Sequence, residues 1–191
     1  MSKTFPVEVS ARHVHLSQEQ VNILFGEGHQ LTVKKELSQP GQFLSEERVT
    51  IVGPKKKMEK VGVLGPVRKE GQVELSMTDC FSIGIKTAQV RESGHIEGTP
   101  GVVLESETAS VTLDKGVIVA KRHIHMTKAD AANFDVKDKE IVKVKIDSTR
   151  PLIFDDVVVR VNDTYALAMH IDTDEANAAL VSGDFQGTIV K

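Results

Sequence analysis

Val7-Glu8-Val9-Ser10-Ala11-Arg12-His13-Val14-His15-Leu16-Ser17 and Val117-Ile118-Val119-Ala120-Lys121-Arg122-His123-Ile124-His125-Met126-Thr127 follow one pattern. Each has an alternating apolar run, a basic residue, His-x-His, an apolar residue and a hydroxyl. In a strand, residues two apart point to the same face. His13 and His15 can therefore converge on one ion, and so can His123 and His125. In a helix the two rings of such a pair would diverge by roughly 200°. The alternation before each pair favours the strand. A His-x-His pair repeated in matching context points to metal binding, and its repetition points to two diverged copies of one β-rich unit.

The surrounding sequence supports that reading. Ser17 with Gln20 forms a capping-box pattern ahead of a short helix, Gln18 to Phe25, that stops at Gly26-Glu27-Gly28. Between residues 30 and 76, short apolar runs (31–33, 48–52, 60–64) alternate with Pro40-Gly41, Gly53-Pro54 and Gly65-Pro66. The loop 93–101 is rich in glycine and reads either as a linker or as part of a site. Strands are expected at 102–104 and 109–113. The second half repeats the plan. Thr127 and Asp130 cap a helix over 129–134, strands follow at 140–146, 152–154, 156–162 and 165–170, then a helix at 174–180 and a last strand. The expected fold is mainly β with short helices: duplicated β-barrel domains enclosing a two-metal site. The first repeat spans residues 1–90 and is completed by 181–191, residues 91–116 connect, and 117–191 form the second repeat.

A catalytic zinc is normally held by three protein ligands with one position open, so each His pair needs a third partner. His170 ends an apolar run in the second half, and Glu74 occupies the comparable place in the first. Each sits shortly before a Thr-Asp pair, Thr78-Asp79 and Thr173-Asp174. His29 and His95 lack such context and read as ordinary histidines. Arg12 and Arg122 alternate away from the histidines and read as supporting residues. Glu19, four residues after His15, imitates a cupin ligand pattern, which leaves a bicupin-like iron or manganese enzyme as a rival reading. Against it, Glu19 falls inside the capped helix, and Ala129 stands at the equivalent place. A non-catalytic, metal-stabilised binding module is the second rival.

Composition narrows the partners. The 191 residues carry a net charge of −3, with Lys55-Lys56-Lys57 as a short basic run. That gives no footprint for nucleic acid. No apolar stretch reaches membrane-spanning length, the start resembles no signal peptide, and a single cysteine, Cys80, allows no internal disulfide. A cytoplasmic protein is expected. Edge strands of such barrels often pair between subunits, so a homo-oligomer is expected too.

The RHVH/RHIH pair, GPVRKEGQVELSMTD (65–79), GHIEGTPG (94–101) and ALAMHIDTDEANA (166–178) closely resemble the zinc-dependent phosphate acyltransferases of the PduL type. The resemblance covers nearly the whole chain. It implies reversible acyl transfer between coenzyme A and inorganic phosphate, with acetyl or propanoyl as the acyl group. By matching motifs, one zinc would take His13, His15 and Glu74, with the coenzyme A sulfur completing the shell. The other zinc would take His123, His125 and His170. Arg68 would bind phosphate, and coenzyme A would contact Val9, Ser10, Ala11, Lys55 and Asn177. This chain departs from the family pattern at Gly62, where relatives carry a basic residue before the Leu-Gly-Pro turn. Its start is also too short for the encapsulation helix of microcompartment members, which favours the free cytosol.

The chemistry this implies is direct attack of zinc-bound phosphate on the thioester. Arg68 would grip the same anion through its planar fork of donors. Nothing basic neighbours Cys80 in the sequence, so no acyl-enzyme is expected. A Cys80→Ala variant should keep its turnover in a thiol-release assay, and a loss of several orders of magnitude would refute direct transfer.

Overall fold

A computed structural model describes residues 3–190. The first stretch holds β1 (Phe5–Val9), β2 (His13–His15), α1 (Gln18–Phe25), β3 (Val33–Glu36), β4 (Phe43–Val52), β5 (Lys57–Gly65) and β6 (Gln72–Glu74). Then come α2 (Met77–Ile83), β7 (Gln89–Arg91), β8 (Val102–Glu105), β9 (Ser110–Leu113) and β10 (Val117–Ala120). The last stretch holds β11 (His123–Met126), α3 (Lys128–Phe134), β12 (Ile141–Ile146), β13 (Leu152–Val161), β14 (Ala168–Ile171), α4 (Thr173–Ala178) and β15 (Phe185–Val190). The expected mainly-β character with short helices holds. No helix among the described residues is long and apolar enough to cross a membrane.

The contacts divide the chain into two compact units. One takes the described residues up to Ala11, the short segment Ser38–Pro40 and the described residues from Lys121 onward; the other takes Arg12–Leu37 and Gly41–Ala120. The first unit is a closed barrel, β1-β14-β11-β13-β12-β15. The second is a nine-stranded sheet in the order β7-β10-β6-β2-β5-β4-β8-β9, with β3 on β4. Each has its own apolar core. Ile124, Met126, Val144, Val157, Val159 and Met169 fill the barrel. Val14, Leu16, Ile51, Val63, Val73 and Leu104 lie at the heart of the other unit.

The chain changes unit just before each His-x-His. The strand β1 pairs in parallel with β14 and antiparallel with β15, so it sits in the barrel. Its counterpart in the second copy, β10, pairs in parallel with β6 and β7 in the nine-stranded sheet. The two leading strands are therefore exchanged: each lies beside the strand that carries the third nominated ligand of the other copy.

The helices begin where the sequence indicates. Ser17 accepts a hydrogen bond from the Gln20 amide while the Gln20 side chain accepts from the Ser17 amide, and Thr127 with Asp130 does the same at α3. The helix α2 lacks such a box, since Ser76 accepts from the Asp79 amide without a return bond. It ends at Gly84 in the left-handed region (φ 93), where a Cβ would meet Lys55. Two expected strands, 152–154 and 156–162, are one element, β13. Asp156 takes positive φ (55), and the pairing with β12 shifts between Val142 and Val144, so the ladder absorbs an irregularity that reads as a break in sequence. The strand expected at 165–170 starts only at Ala168.

Capping should be measurable. Ser17→Ala removes the acceptor for an α1 amide and is expected to lower the unfolding free energy by about 1 kcal/mol in a urea titration.

Candidate metal centres

The geometry of both clusters comes from strand register. In the antiparallel pair β2–β6, His13 lies opposite Glu74, Val14 opposite Val73 and His15 opposite Gln72. In β11–β14, His123 lies opposite His170, Ile124 opposite Met169 and His125 opposite Ala168. Glu74 and His170 thus occupy equivalent positions. The Thr-Asp pairs that suggested the match are one residue out of step. The helices beginning after each strand are capped by Ser76 and Asp172, which makes Asp174-Glu175 the counterpart of Thr78-Asp79.

His13, His15 and Glu74 are all buried, and their donor atoms lie within 4.8 Å of one another. His13 Nε2 is 3.6 Å from Glu74 Oε2, and His15 Nε2 is 3.7 Å from Glu74 Oε1. These separations are too long for hydrogen bonds. They are close to the edge of a tetrahedron of donors, which is about 3.4 Å when each donor lies about 2.1 Å from a central zinc. The three donors therefore fit a small cation. In the barrel, the rings of His123, His125 and His170 converge, with centroids 4.6, 4.9 and 5.3 Å apart. His123 Nδ1 lies 2.8 Å from the Lys121 carbonyl, so Nδ1–H donates there and Nε2 keeps its lone pair. His125 Nδ1 is buried without a hydrogen-bond partner. Among the described residues only His13, His15 and Glu74 bring three donor atoms within 4.8 Å of one another; the second trio is gathered at the level of its rings.

Glu74 is held by a network that the sequence does not announce. Ser93 donates to Glu74 Oε1 at 2.7 Å, and the Gln72 amide nitrogen donates to the same oxygen at 2.6 Å. The Ser93 oxygen in turn accepts from Arg68 at 2.9 Å and from Gln72 at 2.9 Å. The Gly94 amide donates to Gln72 Oε1 at 2.7 Å, which fixes the orientation of the Gln72 amide. The head of the Gly-rich loop therefore belongs to this site. Arg68 is also pinned through its backbone, whose amide donates to the Leu16 carbonyl at 2.8 Å.

The second cluster has an arginine as well, from a different element. Arg160 on β13 lies at the same register as His125 in the parallel pair β11–β13. The single tyrosine, Tyr165, lies against the His125 ring at 4.2 Å between centroids, and Arg160 approaches its hydroxyl at 3.4 Å. Sequence reasoning missed Arg160. A basic residue inside Val157-Val158-Val159-Arg160-Val161 was the available signal.

The electrostatics keep the imidazoles ready to ligate. Burial pushes His15 down to about 3, helped by His13 and Arg68 and opposed by Glu74 and the Leu64 carbonyl. Burial likewise pushes His125 down to about 2, helped by His123, His170 and Arg160. Burial works against ionisation of Glu74. The neighbouring His13 and His15 and the Ser93 hydrogen bond outweigh it and hold the carboxyl well below the ordinary range. At neutral pH His15 and His125 are thus neutral imidazoles and Glu74 is a carboxylate, the forms a metal needs.

Other nominated residues fall as follows. Arg12 pairs with buried Asp79 at 3.0 Å, and Arg122 with Glu175 at 2.8 Å. These acids are the third residues of α2 and α4, so each basic residue ties its own copy's ligand strand to the following helix. His29 pairs with Glu47 at 2.9 Å, and His95 is exposed. Glu19 is exposed in the first turn of α1, away from the ligand strands, which removes the basis of the cupin-like reading. Val9, Ser10 and Ala11 form the end of β1 and the link to β2, and Asn177 is exposed on α4, all in the barrel unit. Lys55 is exposed at the β4–β5 turn of the other unit, its amide donating to the Ile83 carbonyl at 2.9 Å. Gly62 pairs with His13 in register, and a Cβ there would meet Leu44 at 2.7 Å.

A family model described as phosphate propanoyltransferase matches residues 6–182. Among curated proteins, the phosphate propanoyltransferase of Leptotrichia buccalis is 59% identical over 188 residues, covering 98% of this chain and 89% of that protein. Its namesake in Enterococcus faecalis is 57% identical with the same coverage. That of Thermotoga maritima is 58% identical over 177 residues, 92% of this chain and 84% of the relative.

The depressed imidazoles predict a pH effect on the metal-free protein. Between pH 6.5 and about 3 the unfolded chain protonates His15 while the native state does not. Stability is therefore present above pH 6.5 and drains as pH falls, by about 1.4 kcal/mol per pH unit for each such imidazole. Denaturant titrations in chelator should show this acid slope. A His15→Gln, His125→Gln double variant should show a shallower one.

Proposed function

Because the chain belongs to the phosphate propanoyltransferase family and is an acyltransferase, we propose that it reversibly transfers an acetyl or propanoyl group between coenzyme A and inorganic phosphate. One observation carries this reading furthest. Two three-donor clusters occupy equivalent registers, and beside one of them Arg68 is fixed through Ser93 to Glu74. A site that must hold a multiply charged anion needs cationic groups in fixed positions.

We assign His13, His15 and Glu74 to one zinc and His123, His125 and His170 to the other. Zinc bound there would supply Lewis-acid polarisation of phosphate and a thiophilic seat for the departing sulfur. The protein's own residues do the rest. Arg68, with its guanidinium braced by Ser93, orients phosphate by paired N–H donors. In the forward direction a phosphate oxygen forms the new bond to the acyl carbon as the carbon–sulfur bond breaks. The coenzyme A thiolate leaves with the bonding electrons. Cys80 is fully buried in the apolar core of its unit, so it offers no thiol for an acyl-enzyme. The transfer is read as direct, in a ternary complex. Coenzyme A is assigned to Val9, Ser10, Ala11, Lys55 and Asn177. Residues 1–90, completed by 181–191, and 117–191 are read as diverged copies of one metal-holding unit joined by 91–116. The setting is taken to be the cytoplasm, and the sheet edges at β7 and β9 offer pairing between copies in a homo-oligomer.

The test is thiol release from acetyl-CoA and propanoyl-CoA, with and without phosphate, with metal analysis of the same sample. Release should require phosphate, and about two zinc ions per chain should be found. Arg68→Ala should lower kcat/KM for phosphate by roughly 100-fold or more. Arg68→Lys should recover little of it, because an ammonium cannot reproduce the planar fork. Phosphate-independent release, or an Arg68→Ala variant with full activity, would sink the assignment.

A further inference from the structure

The second cluster contains no carboxylate among its three nominated ligands, yet one lies directly behind it. In the parallel pair β1–β14, Glu8 is in register with His170. Glu8 Oε2 is 3.6 Å from His170 Nδ1 and accepts a hydrogen bond from the Ser38 hydroxyl at 2.5 Å. Ser38 belongs to the short segment Ser38–Pro40 that groups with the barrel. Its neighbour Gln39 locks that segment in place. The Gln39 amide nitrogen donates to the Ala166 carbonyl at 2.9 Å, its oxygen accepts from the Ala166 amide at 3.2 Å, and the side chain is buried.

The other copy shows what has changed. There the counterpart of Glu8 is Ile118, in register with Glu74. Each cluster thus has one acid on this pair of strands. In one copy it lies on the ligand strand, and in the other it has moved one strand outward. A carboxylate behind a ligating imidazole fixes the ring's tautomer and orientation and raises its basicity. At 3.6 Å, a small ring rotation lets Nδ1–H donate to Glu8, leaving the lone pair on the buried Nε2.

We infer that Glu8, braced by Ser38, is a positioning residue that holds His170 in the tautomer and orientation with which the three-histidine cluster binds its divalent cation. The inference rests on the reading of that cluster as a cation site, and the experiment separates the two. Zinc affinity of the full chain is measured by chelator competition, and the cobalt(II) form by its visible absorption. His170→Ala should lose one metal equivalent. Glu8→Gln should keep both equivalents but weaken that same step roughly 10- to 100-fold and alter its cobalt spectrum. Ser38→Ala should weaken the same step less. The thermal midpoint of metal-free Glu8→Gln should match that of the parent, whereas a fall would make Glu8 a structural brace and overturn the inference. Unchanged affinity and spectrum in Glu8→Gln would overturn the role of Glu8 alone. A His170→Ala protein that still binds both equivalents would overturn the cluster reading and the inference with it.

Discussion

Three side chains meet in each cluster because two antiparallel strands hold one register. His13 faces Glu74 and His123 faces His170. A strand's side chains alternate between faces, so a slip of one residue would turn a whole donor set away. The buried residues between the donors prevent that slip. Val14, Val73, Ile124 and Met169 are fully enclosed and could not be turned to solvent without losing their core contacts. The apolar cores and the donor clusters are two faces of the same strands.

The two clusters share a register and differ in their electrostatics. The first cluster contains a buried carboxylate with two hydrogen-bond donors on one oxygen, and its arginine is tied to that arrangement through Ser93. The second holds three imidazoles, and its arginine arrives on a strand beside His125. The position of Arg160 corresponds to a point on β5 where the first copy has an apolar residue, Leu64. One cluster thus includes an acid on its ligand strand and the other does not.

Much of this was legible from period and repetition. The two His-x-His strands and the capped helices after them follow from local pattern, whereas the equivalence of Glu74 with His170 rests on strand register, the Thr-Asp pairs being one residue out of step. The former are local, because a cap or an alternation is complete within a few residues. What stayed hidden depends on residues brought together from afar. Ser93 looks like one more polar residue at the head of a Gly-rich loop until the fold sets it on Glu74. Gln72 looks like any strand residue until its amide is fixed by Gly94. Arg160 is conspicuous in its apolar run, but only the parallel pairing with β11 gives it a neighbour. The helix α2 went unseen although Ser76 and Asp79 have the same spacing as Thr127 and Asp130, because the β-like text before it runs on to Ser76.

The exchanged strands also bear on how the molecule is assembled. Val7 must find Met169 and Phe185, partners from the far end of the chain. The entropy of closing so long a loop has to be met before the contact returns anything. β1 can therefore pair only once β14 and β15 have been made. A barrel closed by such distant pairings belongs to the class of topologies that folds slowly and leaves a strand edge unpaired until it closes.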